Sequence, residues 1–256
     1  MSPLNPPWPP APKNPRLEED DVHVWLVGLK QAARDAQSVL GLLSEDERER
    51  ARRFHFDHHR ARFILAHAAQ RLILSHYLRL SPAQLRFRFN PYGKPALDLP
   101  AGDDALQFNL SHSGELALLA IGRGRAVGVD IEHIRAEFAH EQIAERFFSQ
   151  REVSMLRALP ENLRPQAFFN CWTRKEAYIK ALGEGLSLAL DGFDVSLIPG
   201  EQAALLSVRD NPGEVARWSL RELAPGEGYA AAMAVEGQDW RLSCWRWARE
   251  DTRAET

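Results

Sequence analysis

Helical patterning followed by short alternating runs occurs twice along the chain, and that order limits the folds open to it. In the first round Ser44 precedes Glu45, Asp46 and Glu47, an N-cap with acidic residues matched to a positive helix terminus. Between Arg60 and Arg79, residues Ala61, Ile64, Leu65, Ala68, Leu72, Ile73, His76 and Tyr77 recur at spacings of three and four, one apolar stripe of an amphipathic helix. Short β-like runs follow at 85–89, 106–110, 116–121 and 126–132, separated by Gly, Pro and Asp. In the second round helical patterns at 141–159 and 166–182 stop at Gly183 and Gly185, and alternation returns at 193–197, 217–223, 229–235 and 240–247. A first strand is expected at 22–29. Strands that follow helices in consecutive runs form antiparallel hairpins, whereas βαβ crossovers interleave the two. The expected class is therefore α+β with antiparallel sheets, duplicated about a seam near residues 122–126.

Seven of the first fifteen residues are proline, so residues 1–20 read as an extended or disordered tail, and 248–256 as a polar one. Balance between 32 Lys+Arg and 35 Asp+Glu leaves a net charge of −3, which argues against a general nucleic-acid or membrane-surface binder. Cys171 and Cys244 stand 73 positions apart without metal-ligand spacing and read as buried thiols in a reducing cytosol. With no signal-like segment and no apolar run of about 18 residues, a soluble cytoplasmic protein is expected. The cations divide into 27 Arg and 5 Lys, so the places of the few lysines become informative.

In Val127-Gly128-Val129-Asp130-Ile131-Glu132 the apolar residues share one strand face, leaving Gly128, Asp130 and Glu132 on the other. Residues two apart on a strand lie about 7 Å apart, a spacing at which two carboxylates converge on one divalent cation while Gly128 leaves room for a ligand. A solvated strand face gives the same pattern. Further on, Phe168, Phe169, Trp172 and Ile179 mark an inward helix stripe bordered by Glu176, with Lys180 four residues later. An exposed Glu–Lys pair explains that spacing equally well, but two of the five lysines, Lys175 and Lys180, fall in this segment. A third carboxylate beside a cation would suit a Mg2+–diphosphate site. Ser111 and His112 fall at a strand-to-turn junction, where phosphate binding through the two side chains and turn amides competes with a plain turn. Asn90-Pro91-Tyr92-Gly93-Lys94-Pro95 is a turn that could wall a base pocket. The stretch from Arg48 to Arg62, with Arg50, Arg52, Arg53, His55, His58, His59 and Arg60, is densely cationic; it is a solvated face or the edge of a polyanion site.

Taken in order, RRF, YGKP, FNLSHS, GVDIE, RFFSQRE and WTRKEAYIKALGEGLSL resemble the 4′-phosphopantetheinyl transferases of the surfactin-activating type, over roughly residues 22–200 and more loosely to 247. The resemblance implies two subdomains related by a pseudo-two-fold axis, 21–125 and 126–247, with coenzyme A held between them in a monomer. It implies transfer of the phosphopantetheine arm to a serine of an apo acyl- or peptidyl-carrier protein, with release of adenosine 3′,5′-bisphosphate. By position, Asp130, Glu132 and Glu176 resemble ligands of Mg2+, or alternatively Mn2+; Glu152 resembles the general base toward the carrier serine, with a metal-bound water as the other route. Lys180 resembles the cation on the diphosphate. Ser111 and His112 match contacts to the 3′-phosphate, Tyr92, Gly93, Lys94 and Pro95 the adenine wall, and Arg50 a cation near the 3′-phosphate. Glu47 and Phe63 depart from the family pattern, and Arg53 and Arg62 are the substitutes expected there. Two other classes fit the same residues: a Mg2+-dependent nucleotide-diphosphate hydrolase, and a non-catalytic coenzyme A or carrier-protein binding module.

Overall fold

The computed structural model describes residues 8–12, 14–99, 106–135, 140–185 and 188–248. The first half contains β1 (Asp21–Gly28), α1 (Ala32–Val39), α2 (Glu45–Arg52), α3 (Asp57–Leu78), β2 (Phe87–Phe89), β3 (Pro95–Leu97), β4 (Leu106–Ser113) and β5 (Leu116–Arg123). The second contains β6 (Val127–His133), α4 (His140–Phe147), α5 (Gln150–Ala158), α6 (Arg164–Leu182), β7 (Phe193–Val195), β8 (Leu205–Val208), α7 (Glu214–Arg217), β9 (Trp218–Leu223), β10 (Tyr229–Glu236) and β11 (Arg241–Trp247). The class is α+β in two halves, each of helices packed on a small sheet.

Local signals explain most boundaries. Ser44 caps α2 with a full capping box: Glu47 N–H donates to Ser44 Oγ, and Ser44 N–H to Glu47 Oε2 at 2.8 Å. The pattern expected to give one helix over 141–159 gives two. Ser149, at φ −66° and ψ 157°, leaves helical geometry and caps α5 in a second box with Glu152. Gly183 closes α6 in the left-handed region at φ 77°, where a side chain would be strained.

The two main sheets run β11-β1-β5-β4 and β6-β10-β9. Their inner faces pack together: Val22, Val24, Leu26, Leu118 and Ala120 meet Val127, Val129, Ile131, Met233 and Val235 in one buried cluster. Helices cover the outer faces, α1 and α3 on one side and α6 on the other. At about 1.5–3 kcal/mol for each buried aliphatic side chain, this central layer holds the halves in fixed register.

Two expectations change here. The last strand, expected with the second subdomain, lies in the first sheet, parallel to β1 with Asp21 opposite Arg241 and Val27 opposite Trp247. Residues 8–12 of the proline-rich tail continue that edge: Arg246 N–H donates to Pro9 O at 2.8 Å, and Trp8 Nε1 donates across to Ala224 O at 2.6 Å. The first seven residues of that tail, and all of the expected C-terminal tail except Ala248, lie outside the described residues.

Candidate active site at the seam of the two halves

The strand alternation in β6 gives each face a job. Val127, Val129 and Ile131 enter the core between the sheets, and Gly128 and Asp130 face α6. The room at Gly128 serves the helix rather than a ligand. A Cβ there would stand 2.1 Å from Ala177 O and 2.4 Å from Ala181 N, so only glycine lets α6 lie this close. The close approach brings Glu176 and Lys180 of α6 beside Asp130.

Asp130 is 3% exposed. Its Oδ1 accepts from Lys180 Nζ at 2.5 Å and from Ser111 Oγ at 2.8 Å, while Oδ2 is buried with no hydrogen-bond partner. One step along the same strands, Ser113 Oγ donates to Glu132 Oε2 at 2.8 Å. Alternate serines of β4 thus hold alternate carboxylates of β6 across the seam. This geometry corrects the expected turn: residues 111–113 belong to β4, paired with β5 from Ser111 opposite Leu118 to Ser113 opposite Leu116. The pairing of Ser113 with Glu132 escaped sequence reasoning, although the two-residue period that relates it to Ser111 was visible. Among the described residues the Glu176 carboxylate accepts no hydrogen bond.

Burial first, and the charge of Asp130 second, push the Glu132 and Glu176 carboxyls above the usual carboxylate range, with Lys180 acting the other way. Such a set favours a hard cation. Among the described residues no three acidic, imidazole or thiol side chains already surround a single point closely enough to hold an ion. The orphaned Asp130 Oδ2 and the all-oxygen donor set fit Mg2+, whose shell is completed by waters and substrate oxygens rather than by a protein cage.

Beside the carboxylates lies a cavity of about 360 Å³ whose walls come from both halves, among them Arg50, Tyr92 to Pro95, His112, Lys180 and Gly183. The imidazole of His112 is held below its ordinary range by burial and then by the charges of Lys180, Arg50, Arg62 and His59. That convergence of cations marks an anion site. Arg50 lies over the Phe63 ring, 5.4 Å from its centroid, and lines the cavity. Arg53 does not: it forms an exposed pair with Glu49 at 3.2 Å. Arg62 acts on His112 but is not among the lining residues.

The 90–95 turn is built by Asn90, whose Oδ1 accepts from Tyr92 N–H at 3.0 Å and Lys94 N–H at 2.8 Å. Its Nδ2 reaches Gly183 O at 2.6 Å, and Lys94 Nζ donates to Ala181 O at 2.8 Å. Lys94 therefore clasps the last turn of α6 from the opposite half, and burial lowers its ammonium pKa to about 8. Its aliphatic stem and Tyr92, Gly93 and Pro95 line the cavity; its charge is directed into the protein.

Glu152 and Lys175 lie elsewhere. Glu152 is 1% exposed, accepting from Val195 N–H at 2.8 Å and Ser149 N–H at 2.9 Å, and it pairs with Lys175 Nζ at 2.9 Å. Lys175 is 0% exposed and also donates to Leu190 O and Phe193 O. A general base must reach the proton it removes, so this sealed carboxylate does not suit the expected role toward a carrier serine. Nor does Lys175 line the cavity beside the carboxylates. Glu152→Ala is expected to lower stability by about 3 kcal/mol, because it leaves a buried ammonium without its counter-ion; urea unfolding measures it. The departures at Glu47 and Phe63 have local reasons: Glu47 pairs with the buried Arg71 at 2.7 Å, and Phe63 stacks on His67.

A seam that is cationic at one end and acidic at the other has the charge pattern of a site for a nucleotide carrying both a terminal phosphate and a diphosphate. The family model "4′-phosphopantetheinyl transferase, N-terminal" matches residues 30–123, and the model "4′-phosphopantetheinyl transferase superfamily" matches residues 126–234. The chain is 40% identical over 240 residues to the 4′-phosphopantetheinyl transferase HetI of Nostoc sp., covering 94% of this chain and 98% of HetI. It is 36% identical over 170 residues to Sfp of Bacillus subtilis, 66% of this chain and 73% of Sfp. It is 34% identical over 193 residues to psf-1 of Bacillus pumilus, 75% of this chain and 80% of psf-1. The chain belongs to the 4′-phosphopantetheinyl transferase superfamily. No helix among the described residues is long and apolar enough to cross a membrane.

Proposed function

We propose that the protein transfers the 4′-phosphopantetheine arm of coenzyme A to a serine hydroxyl of an apo acyl- or peptidyl-carrier protein, with dependence on Mg2+. The observation that carries this reading is Asp130, buried with one oxygen on Lys180 and the other without a partner, beside a cavity of nucleotide dimensions. Asp130, Glu132 and Glu176 are the residues that would hold Mg2+, and bound there it would neutralise diphosphate oxygens.

The remaining work falls to the chain's own groups. Arg50 and His112 receive the 3′-phosphate end, and Tyr92, Gly93 and Pro95 flank the base. Lys180 faces the diphosphate and stabilises charge that develops on the departing phosphate. The serine oxygen attacks the phosphorus nearer the pantetheine; the bond from that phosphorus to the bridging oxygen breaks, and adenosine 3′,5′-bisphosphate leaves. The serine proton needs an acceptor open to the site. Glu152, sealed in the core on Lys175, does not offer one. No nucleophile from the enzyme is required, since positioning and charge neutralisation do the work.

Incubating the protein with coenzyme A, Mg2+ and an apo carrier is expected to add the mass of the arm to the carrier, and Glu176→Ala to stop the gain with folding retained. Release of nucleotide without an acceptor would instead show a hydrolase. Full activity in Glu132→Ala and Glu176→Ala would remove the carboxylates from the reaction.

A further inference from the structure

Gln70 lies on α3 on the face it shares with Phe63, His67 and Leu74, opposite the Ala61–Ala68–Leu72 stripe. It is only 4% exposed, yet among the described residues its carboxamide makes no hydrogen bond. A carboxamide with so little access to solvent calls for a partner that the described residues do not supply. Its atoms are open to space: Gln70 lines the 360 Å³ nucleotide cavity and also an adjoining one of about 200 Å³, the two sharing Arg50, Phe63, His67, Gly93 and Pro95.

His67, one turn before it, adds a second neutral polar group. Its Nδ1 donates to Phe63 O at 3.0 Å, which fixes the tautomer and leaves Nε2 as an acceptor that no described residue engages. Burial lowers its pKa to about 3, so the ring is uncharged under ordinary conditions. Cations gather at His112, and Arg50 reaches this wall too, over the Phe63 ring; Gln70 and His67 add two uncharged polar groups beside that ring, which stacks on His67 at 3.8 Å. A neutral donor–acceptor pair against an aromatic floor suits the edge of a heterocyclic base and not a phosphate. A carboxamide accepts from an exocyclic amino group while donating to a ring nitrogen, the pairing that adenine offers and a 6-oxopurine does not.

We propose that Gln70, assisted by His67 Nε2, reads the amino edge of the adenine base and makes this enzyme selective for adenine over 6-oxopurine nucleotides. The inference rests on the coenzyme A reading of the cavity. Its test needs neither carrier nor metal: calorimetric titration with adenosine 3′,5′-bisphosphate and with inosine 3′,5′-bisphosphate, which keep both phosphates and differ at the base edge. Wild-type protein is expected to favour the adenosine nucleotide by about tenfold, the range of one or two buried hydrogen bonds. Gln70→Met is expected to weaken adenosine binding by about that factor, to leave inosine binding nearly unchanged, and so to erase the preference. Gln70→Leu removes both the donor and the acceptor at similar size and must erase it too; it serves as the second variant if Gln70→Met melts early. Preference that survives both substitutions, or equal loss for both nucleotides, overturns the assignment. Wild-type protein that binds neither nucleotide overturns the coenzyme A reading together with it.

Discussion

Gly128→Ala is expected to destabilise the protein by about 4 kcal/mol and to abolish transfer, although it adds one methyl group. The atoms in the way are Ala177 O at 2.1 Å and Ala181 N at 2.4 Å, both backbone. No side chain can rotate to relieve them, so α6 must move as a unit or β6 must bend. Ordinary overpacking costs about 1–3 kcal/mol when side chains can adjust; a clash of two backbones belongs to the rarer class near 4 or above. For a chain of this length that corresponds to a fall in Tm of roughly 10 °C. The same movement carries Glu176 and Lys180 away from Asp130, and displacement of about 1 Å is enough to lose a hundredfold in rate. Thermal unfolding and carrier labelling measure the two effects. A variant melting within a degree or two of wild type would show that β6 and α6 are not held by this contact.

How much of this was legible beforehand depends on what periodicity can report. Alternation along β6 separated Val127, Val129 and Ile131 from Asp130 correctly, because burial of one face is a property of the strand alone. What occupies the other face is a property of the fold, so Gly128 was assigned to a ligand when it accommodates a helix. The same limit hid β3 and β8, three and four residues long and too short for any period to show. It also hid the parallel placement of β11, whose pattern is that of a strand in either sheet. The break at Ser149 was visible as Ser-x-x-Glu, yet the apolar spacing of the flanking helices suggested continuity. Lysine scarcity pointed to the right segments and to mixed roles. Lys180 faces Asp130, Lys94 clasps α6, and Lys175 neutralises Glu152 in the core. Sequence spacing places a side chain on a helix face; only packing decides whether that face meets ligand or protein. Gln70 illustrates the converse, a polar residue outside the apolar stripe whose burial, and whose lack of a partner among the described residues, appear only in three dimensions.

Lys180→Met is expected to impair stability and chemistry together, and the two losses separate by their response to divalent cation. In the absence of metal, Lys180 is the sole cation hydrogen-bonded to the Asp130 carboxylate among the described residues, at 2.5 Å. Removing it leaves Asp130 almost fully buried, with Oδ2 already unpartnered and Glu132 and Glu176 raised in pKa by burial and then by the Asp130 charge. Stranding a buried carboxylate in this way costs about 3–5 kcal/mol. A divalent cation binding the same carboxylates supplies the missing positive charge, and any ligand specific to the folded state raises its stability by mass action. The variant's melting temperature is therefore expected to rise more steeply with Mg2+ concentration than the wild-type protein's. Catalysis does not recover in parallel, because Lys180 also faces the diphosphate and stabilises charge there as the bond breaks. Loss of one such preorganised donor typically lowers kcat by about 10²–10³. Melting scans across a Mg2+ series and steady-state labelling of one apo carrier decide the matter. Normal stability without metal would remove Lys180 as the counter-ion of Asp130, and kcat within a few-fold of wild type would remove it from the transition state.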